Sequence, residues 1–401
     1  MTSPLVERLA PVEKTQILVV GAGPVGLFAA LCAARAGLEV TLLEQNFRGC
    51  ARGHATLLHP SSLRMLAELG LSRTLLQEGR SIDRVDLFMD GAPARSLELS
   101  TSALTITQSV FEELLLKELH SQDVEIRTPC EATTLTCTPD SVRAVVVRRE
   151  LAAVGAGAHE GEWEPVETSL IDADFVIGAD GYHSQVRASM GIDTSEVGAT
   201  ETFAMFEGPR DSTDSTLDLG FQGGLGSAAF PLPDQRARWG FQLGSDLCAP
   251  PDLDHLRKFL AERAAWNTAQ PTEVEWSTVT HFERRVARHF GRGRVWLAGD
   301  AAHITSPFGG QSMNGGLTEV HELVERMAGC LRGGKALATL EHLGALHERE
   351  WQMLLGFRVQ FEVPASAPPW LREQVSRIVP ALPASGPDLR HLLHQLGVAV
   401  H

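Results

Sequence analysis

An α/β fold with an inserted β-sheet-rich domain and a helical carboxyl terminus is what this 401-residue sequence predicts, and three stretches predict it. In "ILVVGAGPVGLFAA" (Ile17–Ala30), β-branched residues precede a glycine-rich turn and an apolar run follows it, as when a buried strand feeds a helix. "RVWLAGDAAHITSPFGGQSMNGG" (Arg294–Gly316) repeats the device near the other end: strand, acid, glycine-rich turn, helix. Between Thr200 and Phe282 the texture changes to short strands and turns, as in "LGFQGGLGSAAFPLPDQRARWGFQLG". Two strand–turn–helix units flanking a β-rich insert make one domain from discontinuous pieces of chain.

Gln16–Val20 reads as a fully buried strand, Val25–Ala36 as a helix stopped by Gly37, and Leu38–Leu43 as a second strand ending at Glu44. A helix follows around Ser61–Leu69, with Gly70 as its stop. Ile82–Leu99, divided by Asp90-Gly91, reads as a hairpin of a second, antiparallel layer. "QSVFEELLLKEL" (Gln108–Leu119) is an amphipathic helix with Leu114, Leu115 and Leu119 near one face. Strand-like pieces run to about Val166 around the loop Ala152–Gly161, and "ADFVIGADG" (Ala173–Gly181) returns to a buried strand and turn. Helical patterning resumes after Gly316. The tail from Pro364 is Pro-rich, then helical, and is expected to pack on the body rather than face a partner or lipid. These breaks assign 14–80, 104–185 and 285–350 to the first domain, 81–103 and 186–284 to the second, and 351–401 to a carboxyl-terminal helical segment.

A net charge of −15 argues against a nucleic-acid surface, which must neutralise phosphates with Lys and Arg. Six cysteines are scattered with no C-x-x-C pair, and no H-E-x-x-H spacing occurs, so no metal site is expected and the thiols are expected reduced. Thr15–Ala34 lacks charge, but its glycines and proline fit a strand and turn better than a membrane helix. Glu7, Arg8, Glu13 and Lys14 before it give no signal-peptide layout. A soluble, cytoplasmic protein is expected, as a monomer or homodimer.

Gly21-Ala-Gly23-Pro24-Val25-Gly26 matches the dinucleotide fingerprint: Gly21 for a tight turn, Gly23 for close approach of a pyrophosphate, Gly26 for helix–sheet packing. The helix N-terminus then offers N–H groups and positive dipole to the phosphates. Glu44 ends the second strand, where a carboxylate accepts from ribose hydroxyls. This motif does not separate NAD from FAD. The second device does: Gly299-Asp300 ends a strand, where Asp300 would accept from a polyol such as a ribityl chain. Pro307, Phe308, Gly309 and Gly310 then let backbone pass near a flat ring, and a helix from about Met313 aims N–H groups at it.

With these motifs in place, the sequence resembles the single-component (group A) FAD-dependent aromatic hydroxylases, the p-hydroxybenzoate hydroxylase-like monooxygenases. The resemblance rests on GAGPVG with Glu44, on "GADG" (Gly178–Gly181) and on "GDAAH…P-x-G-G-Q…N" (Gly299–Asn314), and it spans about Gln16 to Trp351, with "ITQSVFEELL" (Ile106–Leu115) also similar. It implies a Rossmann-like FAD-binding domain of the glutathione-reductase type, with FAD as cofactor and NADH or NADPH as transient co-substrate. By the same resemblance Gly21, Gly23, Pro24, Val25, Gly26 and Glu44 would hold the ADP half. Asp180 and Gly181 would serve the pyrophosphate region and transient NAD(P)H binding. Gln108 would lie along the flavin, Gly299 and Asp300 would meet the ribityl chain, and Pro307, Gly309, Gly310, Gln311, Ser312, Met313 and Asn314 would line the ring. Arg48 or Arg52 would reach the pyrophosphate, with Arg52 taken as the candidate. Arg187 reads either as a nicotinamide-phosphate partner or as a surface arginine. The sequence departs from the family at His54, in place of an arginine, at Ser312, in place of a glycine, and at Glu319 and Glu322, in place of Asp and Asn.

The implied cycle passes a hydride from NAD(P)H to FAD, adds O2 at flavin C4a, and delivers oxygen from the hydroperoxide to an electron-rich ring. Hydroxylation or epoxidation of a bulky, hydrophobic aromatic follows, a polycyclic or quinoline- or polyketide-like secondary metabolite rather than a small benzoate. No side-chain nucleophile is required; His303 is the candidate base, with structural packing as its alternative. The single tyrosine, Tyr182, lies outside the β-rich domain, so no tyrosine relay is expected. Phe203, Met205, Phe206, Phe221, Phe230 and Phe241 form the candidate apolar wall, with a minority, together with Pro307, expected to touch substrate. The alternatives are an oxidase or dehydrogenase of the same fold, or a non-catalytic flavin-binding partner. The W-x-W-x-I-P helix of a flavin halogenase is missing; "RWGFQLG" is the nearest text.

Overall fold

A computed structural model describes residues 12–46, 55–151, 163–210, 214–244, 251–357 and 361–400. Arg48, Arg52 and His54 lie outside them, as does the loop Ala152–Gly161. The strand Glu13–Val20 lies between two parallel neighbours, Val40–Leu43 and Trp163–Gly178. Val295–Leu297 extends the sheet beyond one, and Glu125–Arg127 beyond the other, both also parallel. Ile17, Leu18 and Val19 are wholly buried, because helices cover one face and an antiparallel meander the other. Burial on both faces is why the run is uninterruptedly apolar rather than alternating. The helices Pro24–Arg35, Gln108–Ser121 and Gln311–Leu331 share the first core. The meander, Cys130–Cys137 and Val142–Leu151, returns into the long strand Trp163–Gly178.

Register across this sheet matters most for function. Leu297 pairs with Gly178, Gly178 with Val20, and Val20 with Leu43. The carboxyl ends of four adjacent strands therefore form one row, about 14 Å long at the usual strand spacing. Asp300, Asp180, Gly21 and Glu44 each follow one of these ends within a few residues.

The second sheet runs in the order Trp276–Phe282, Glu201–Pro209, Arg236–Leu243, Leu225–Leu232, Thr216–Gln222, Arg80–Met89, Ala92–Thr107, Ala55–Leu58. All its pairings are antiparallel except that of Thr216–Gln222 with Arg80–Met89. The Asp90-Gly91 hairpin forms, with φ 47° and 81° as its tight turn requires. Ala55–Leu58 and Leu104–Thr107, which the sequence groups with the first domain, pair with each other in this sheet. A four-residue strand has no period of its own, and its partner lies far along the chain, so pattern alone does not place it.

One face of this sheet buries Ala204, Phe206, Trp239 and Phe241 under Leu256 and Leu260 of the helix Leu253–Arg263. On the other, Phe203, Met205 and Phe230 share a core with Phe308 and with Leu371, Ile378, Leu392 and Leu393 of the tail. The tail is thus part of the body, in the helices Pro369–Ala381 and Gly386–Leu396. No described helix is long and apolar enough to cross a membrane.

His59 ties the tail to the rest. It is wholly buried; Nε2 lies 2.6 Å from the Gly309 carbonyl and Nδ1 3.2 Å from the Ser385 hydroxyl. A carbonyl only accepts, so Nε2 carries the proton and neutral Nδ1 accepts from Ser385. Burial pushes the ring pKa down to about 4, against a smaller opposing effect of the Gly309 hydrogen bond. The unfolded chain protonates this ring near pH 6.5, the folded one only near 4, so the unfolded state binds more protons between them. Stability is therefore expected to fall by about 3 kcal/mol as pH drops through that window, and no further below it from this group. Urea denaturation across the window checks this, and His59→Gln should flatten the slope.

Candidate active site

At the first glycine turn, packing dictates sequence. Gly21 has φ +97°, and a Cβ on it would stand 2.4 Å from the Ala179 carbonyl oxygen. A Cβ on Gly26 would stand 1.8 Å from the Gly21 oxygen, whereas one on Gly23 would meet nothing within 4 Å. Two glycines are thus filled in by protein, and the third faces open space. Pro24 opens the helix at its first turn, and Val25 packs on Gly299 and Gly316.

Gly21, Gly23, Glu44, Asp180 and Gly181 line a cavity of about 210 Å³. The Glu44 carboxylate accepts from the backbone N–H groups of Ala22 and Asn46, both at 2.8 Å, so it is fixed at the cavity wall. Burial raises the Asp180 pKa, while the Ser184 hydroxyl (2.6 Å) and the Val186 N–H (3.0 Å) pull it back. Arg187 donates to the carbonyls of Ala301 (2.8 Å) and Tyr182 (3.0 Å), tying the Asp180 and Asp300 turns together.

A second cavity, of about 440 Å³, lies between the two sheets. Gln108, Asp300, Pro307, Gly310, Gln311, Ser312 and Met313 line one side. Gly310, at φ 63° and ψ 20°, starts the helix Gln311–Leu331, and no side chain caps it. The N–H groups of that first turn and the positive end of the helix dipole therefore belong to the cavity. Asp300 is open to the cleft but set deep in the molecule; its surroundings push the carboxyl pKa up, against His303 and Arg285. Ser312 accepts from the Thr305 N–H (3.2 Å), and the Thr305 hydroxyl, on the same wall, has no partner.

Three sequence candidates stand behind this wall. Asn314 is wholly buried: its side-chain oxygen accepts from the His59 N–H and the Ser62 hydroxyl, and its amide donates to Leu57 and Gly310. Gly309 sits against Pro380, whose oxygen a Cβ would meet at 1.9 Å. His303 does not line the cavity. Its ring stacks on Trp351 at 3.5 Å, with Nε2 2.7 Å from Glu319. Both neighbours are buried, so these contacts are those of structural packing, the alternative to its reading as a base.

Glu319 is the hub of that network. It accepts from the Gly299 N–H (3.1 Å), His303 (2.9 Å to the same oxygen) and Trp351 Nε1 (2.6 Å to the other). Burial alone would raise its pKa, but His303, His347 and the Gly299 N–H outweigh that and hold it below the usual range. Glu322, the other departure, pairs with His347 at 3.2 Å. Both glutamates thus reach across to the helix Ala338–Leu354.

The opposite side of the cavity is the second sheet. Met205 and Phe230 line the cavity from it, facing Pro307, while Phe203, Phe221, Phe206 and Phe241 are not among the lining residues. Phe206 and Phe241 face the other core because side chains alternate along a strand. Phe203 is shielded by Phe308, 5.1 Å away and edge-on, which fills the space left by Gly226 and Gly240. In their place stand Arg238, Trp276, Thr278, Thr280 and Phe282. The alternation of Trp276, Thr278, Thr280 and Phe282 is the signal that would have found four of them.

The residues present fit an FAD: an open Gly23 above a turn, a carboxylate at each end of the strand row, an orphaned Thr305 hydroxyl and an uncapped helix end. Comparison with known proteins agrees. A family model described as FAD binding domain matches residues 14–349. The chain is 27% identical over 333 residues to 6-methylpretetramide 4-monooxygenase of Streptomyces rimosus, covering 79% of this chain and 56% of that protein. It is 28% identical over 333 residues to an uncharacterised aromatic-compound monooxygenase of Bacillus subtilis strain 168, covering 80% and 62%. The chain therefore spans less than two-thirds the length of either. A solved structure of p-nitrophenol 4-monooxygenase from Pseudomonas putida DLL-E4 superposes with TM-score 0.74 at 20% identity, covering 96% of this chain and 97% of that one, a likeness of fold. With the FAD-binding-domain model matched over most of its length, the chain belongs to that family of FAD-binding proteins.

Proposed function

We propose that this protein is a cytoplasmic FAD-dependent monooxygenase that uses NADH or NADPH and O2 to hydroxylate, or epoxidise, a hydrophobic polycyclic aromatic. The row of strand ends that brings Glu44, Gly21, Asp180 and Asp300 to one edge carries the reading. It gives one extended dinucleotide two anchored ends, with an uncapped helix facing the second sheet at the far one. In this reading Glu44 accepts from the adenosine ribose, Gly23 admits the pyrophosphate, and Asp180 fixes the turn beneath it. Asp300 accepts from the ribityl chain, and Gly310–Met313 lie along the flavin ring with Gln108 opposite. The division at 14–80, 104–185 and 285–350 against 81–103 and 186–284 is proposed with it, the strand 55–58 bridging to the second sheet.

When bound, FAD would take electrons from the nicotinamide nucleotide and supply oxygen transfer from O2. The chain's own residues bind, orient and exclude water. The first-turn N–H groups stabilise negative charge developing on the ring. Met205, Phe230, Phe282 and Pro307 keep the facing space dry and hold the substrate ring flat. Purified protein should be yellow, and a panel of hydroxynaphthoates and hydroxyanthraquinones should contain members that speed its oxidation of NADH or NADPH at least about tenfold. Colourless protein that cannot be reconstituted with FAD would sink the reading. Peroxide formed in place of oxygenated product would favour the oxidase alternative.

A further inference from the structure

We propose that two side-chain hydroxyls, those of Thr305 and Ser312, hydrogen-bond the flavin ring of the bound FAD and favour its reduced, negatively charged form. The inference rests on the FAD reading and goes beyond it, since the groups set against developing charge there are backbone N–H groups. Ser312 is the second residue of the helix Gln311–Leu331, whose first internal bond runs from the Asn314 N–H to the Gly310 carbonyl at 3.3 Å. Gln311, Ser312 and Met313 thus keep N–H groups that no helical carbonyl accepts. Thr305 directly follows the short strand His303–Ile304, and its N–H donates to the Ser312 Oγ at 3.2 Å, closing the bend that holds Pro307, Gly309 and Gly310. That bond uses a lone pair of Ser312, and among the described residues no acceptor takes the hydroxyl's own proton. The Thr305 hydroxyl is an independent sign of a ligand: the residue is 3% exposed and lines the cavity, yet its oxygen has no partner.

A buried hydroxyl without a partner gives up its hydration for nothing, and valine would fill the same space without that loss. The retained oxygen is explained by a partner that arrives with a ligand. Position favours the cofactor over the substrate. Thr305 and Ser312 share their wall with Asp300, Gln311 and Met313, whereas the apolar wall for an aromatic, Met205, Phe230 and Phe282, belongs to the second sheet. An acceptor that gains electron density on reduction takes a stronger hydrogen bond from each donor facing it. Accepting from the Thr305 N–H polarises the Ser312 O–H and makes it the better donor. The positive end of the helix dipole acts in the same direction. All three effects stabilise reduced FAD more than oxidised FAD, and so raise its midpoint potential. Within "TSPFGGQS" the two hydroxyls stand seven residues apart, and only closure of the bend brings them to one wall.

The test measures the midpoint potential of FAD-loaded protein at neutral pH by equilibration with reference dyes, with no aromatic present. Thr305→Val is expected to lower the preference for reduced over oxidised FAD at least about tenfold, a fall of about 30 mV for a two-electron couple. Its apoprotein should be as stable as the parent or more so, because an orphaned oxygen is removed. Ser312→Ala should lower the potential at least as far, while Ser312→Thr, which keeps the hydroxyl, should stay within about twofold of the parent, roughly 9 mV. Loss of FAD by a Thr305→Val apoprotein of undiminished stability would also support the proposal. An unchanged or higher potential in Thr305→Val and Ser312→Ala overturns it. So does a Thr305→Val apoprotein less stable than the parent, which would place the hydroxyl's partner inside the protein. Unchanged potentials with weakened binding of an aromatic such as 3-hydroxy-2-naphthoate would assign the hydroxyls to the substrate and overturn it too. In each of these cases the monooxygenase reading stands; a parent protein that takes up no FAD brings that reading down first.

Discussion

Replacing Glu319 with leucine is expected to cost about 4 kcal/mol of stability and to weaken FAD binding at least tenfold. Three donors meet on this carboxylate: the Gly299 N–H, His303 Nε2 and Trp351 Nε1. His303 and Glu319 are 1% and 2% exposed, so water cannot replace the lost acceptor. Each stranded donor carries a penalty of roughly 1–3 kcal/mol, partly relieved by local rearrangement. The Gly299 N–H also fixes the turn that presents Asp300, so the damage reaches the cofactor end of the cavity. Glu319→Asp keeps the charge but shortens the reach, and should lose less in both respects. Thermal and urea denaturation, with FAD titration of the apoprotein, check the series. A leucine variant as stable as the parent would show that the hub has been misread.

The first glycine turn gives a second large effect, and a contrast within it. Gly23 has φ −69° and ψ 179°, ordinary for any residue, and open space where a Cβ would go. Gly23→Ala should therefore leave the apoprotein as stable as the parent. Its methyl group would nevertheless occupy the room a pyrophosphate needs beside the helix N-terminus, and FAD affinity should fall about a hundredfold, close to 3 kcal/mol. Gly26→Ala differs: its Cβ would overlap the Gly21 carbonyl at 1.8 Å, so the fold itself must shift. The first variant should lose FAD alone, and the second both FAD and stability. FAD titration beside thermal denaturation separates them; undiminished affinity in Gly23→Ala would remove the phosphate from this turn.

How much of this was legible in the sequence depended on the range of the forces involved. The βαβ unit, the Asp90-Gly91 hairpin and the two glycine turns follow from local periodicity and backbone sterics, and they appear where the pattern placed them. The helix after Gly310 begins at Gln311, before Met313, because Gly310 adopts the left-handed conformation that lets the chain turn directly into it. What required three dimensions was register and facing. Nothing local separates Met205, which reaches the cavity, from Phe203, which Phe308 covers. Nothing local marks His59 as the link between the Gly309 carbonyl and the tail. Asn314 and His303 belong to familiar motifs, yet the first holds the helix to strand 55–58 and the second backs the Asp300 turn. Glu319 stood out only as a departure, and the network shows what its added length reaches.

The central claim is that the flavin held along the strand row passes oxygen from O2 to an aromatic seated against the second sheet. Turnover under isotopically labelled dioxygen, using whichever panel compound most accelerates NADH or NADPH oxidation, tests it directly by mass spectrometry of the product. One labelled oxygen atom in the aromatic product is predicted, the other leaving as water. Product that carries no label, or nucleotide oxidation that yields only peroxide, would contradict the account.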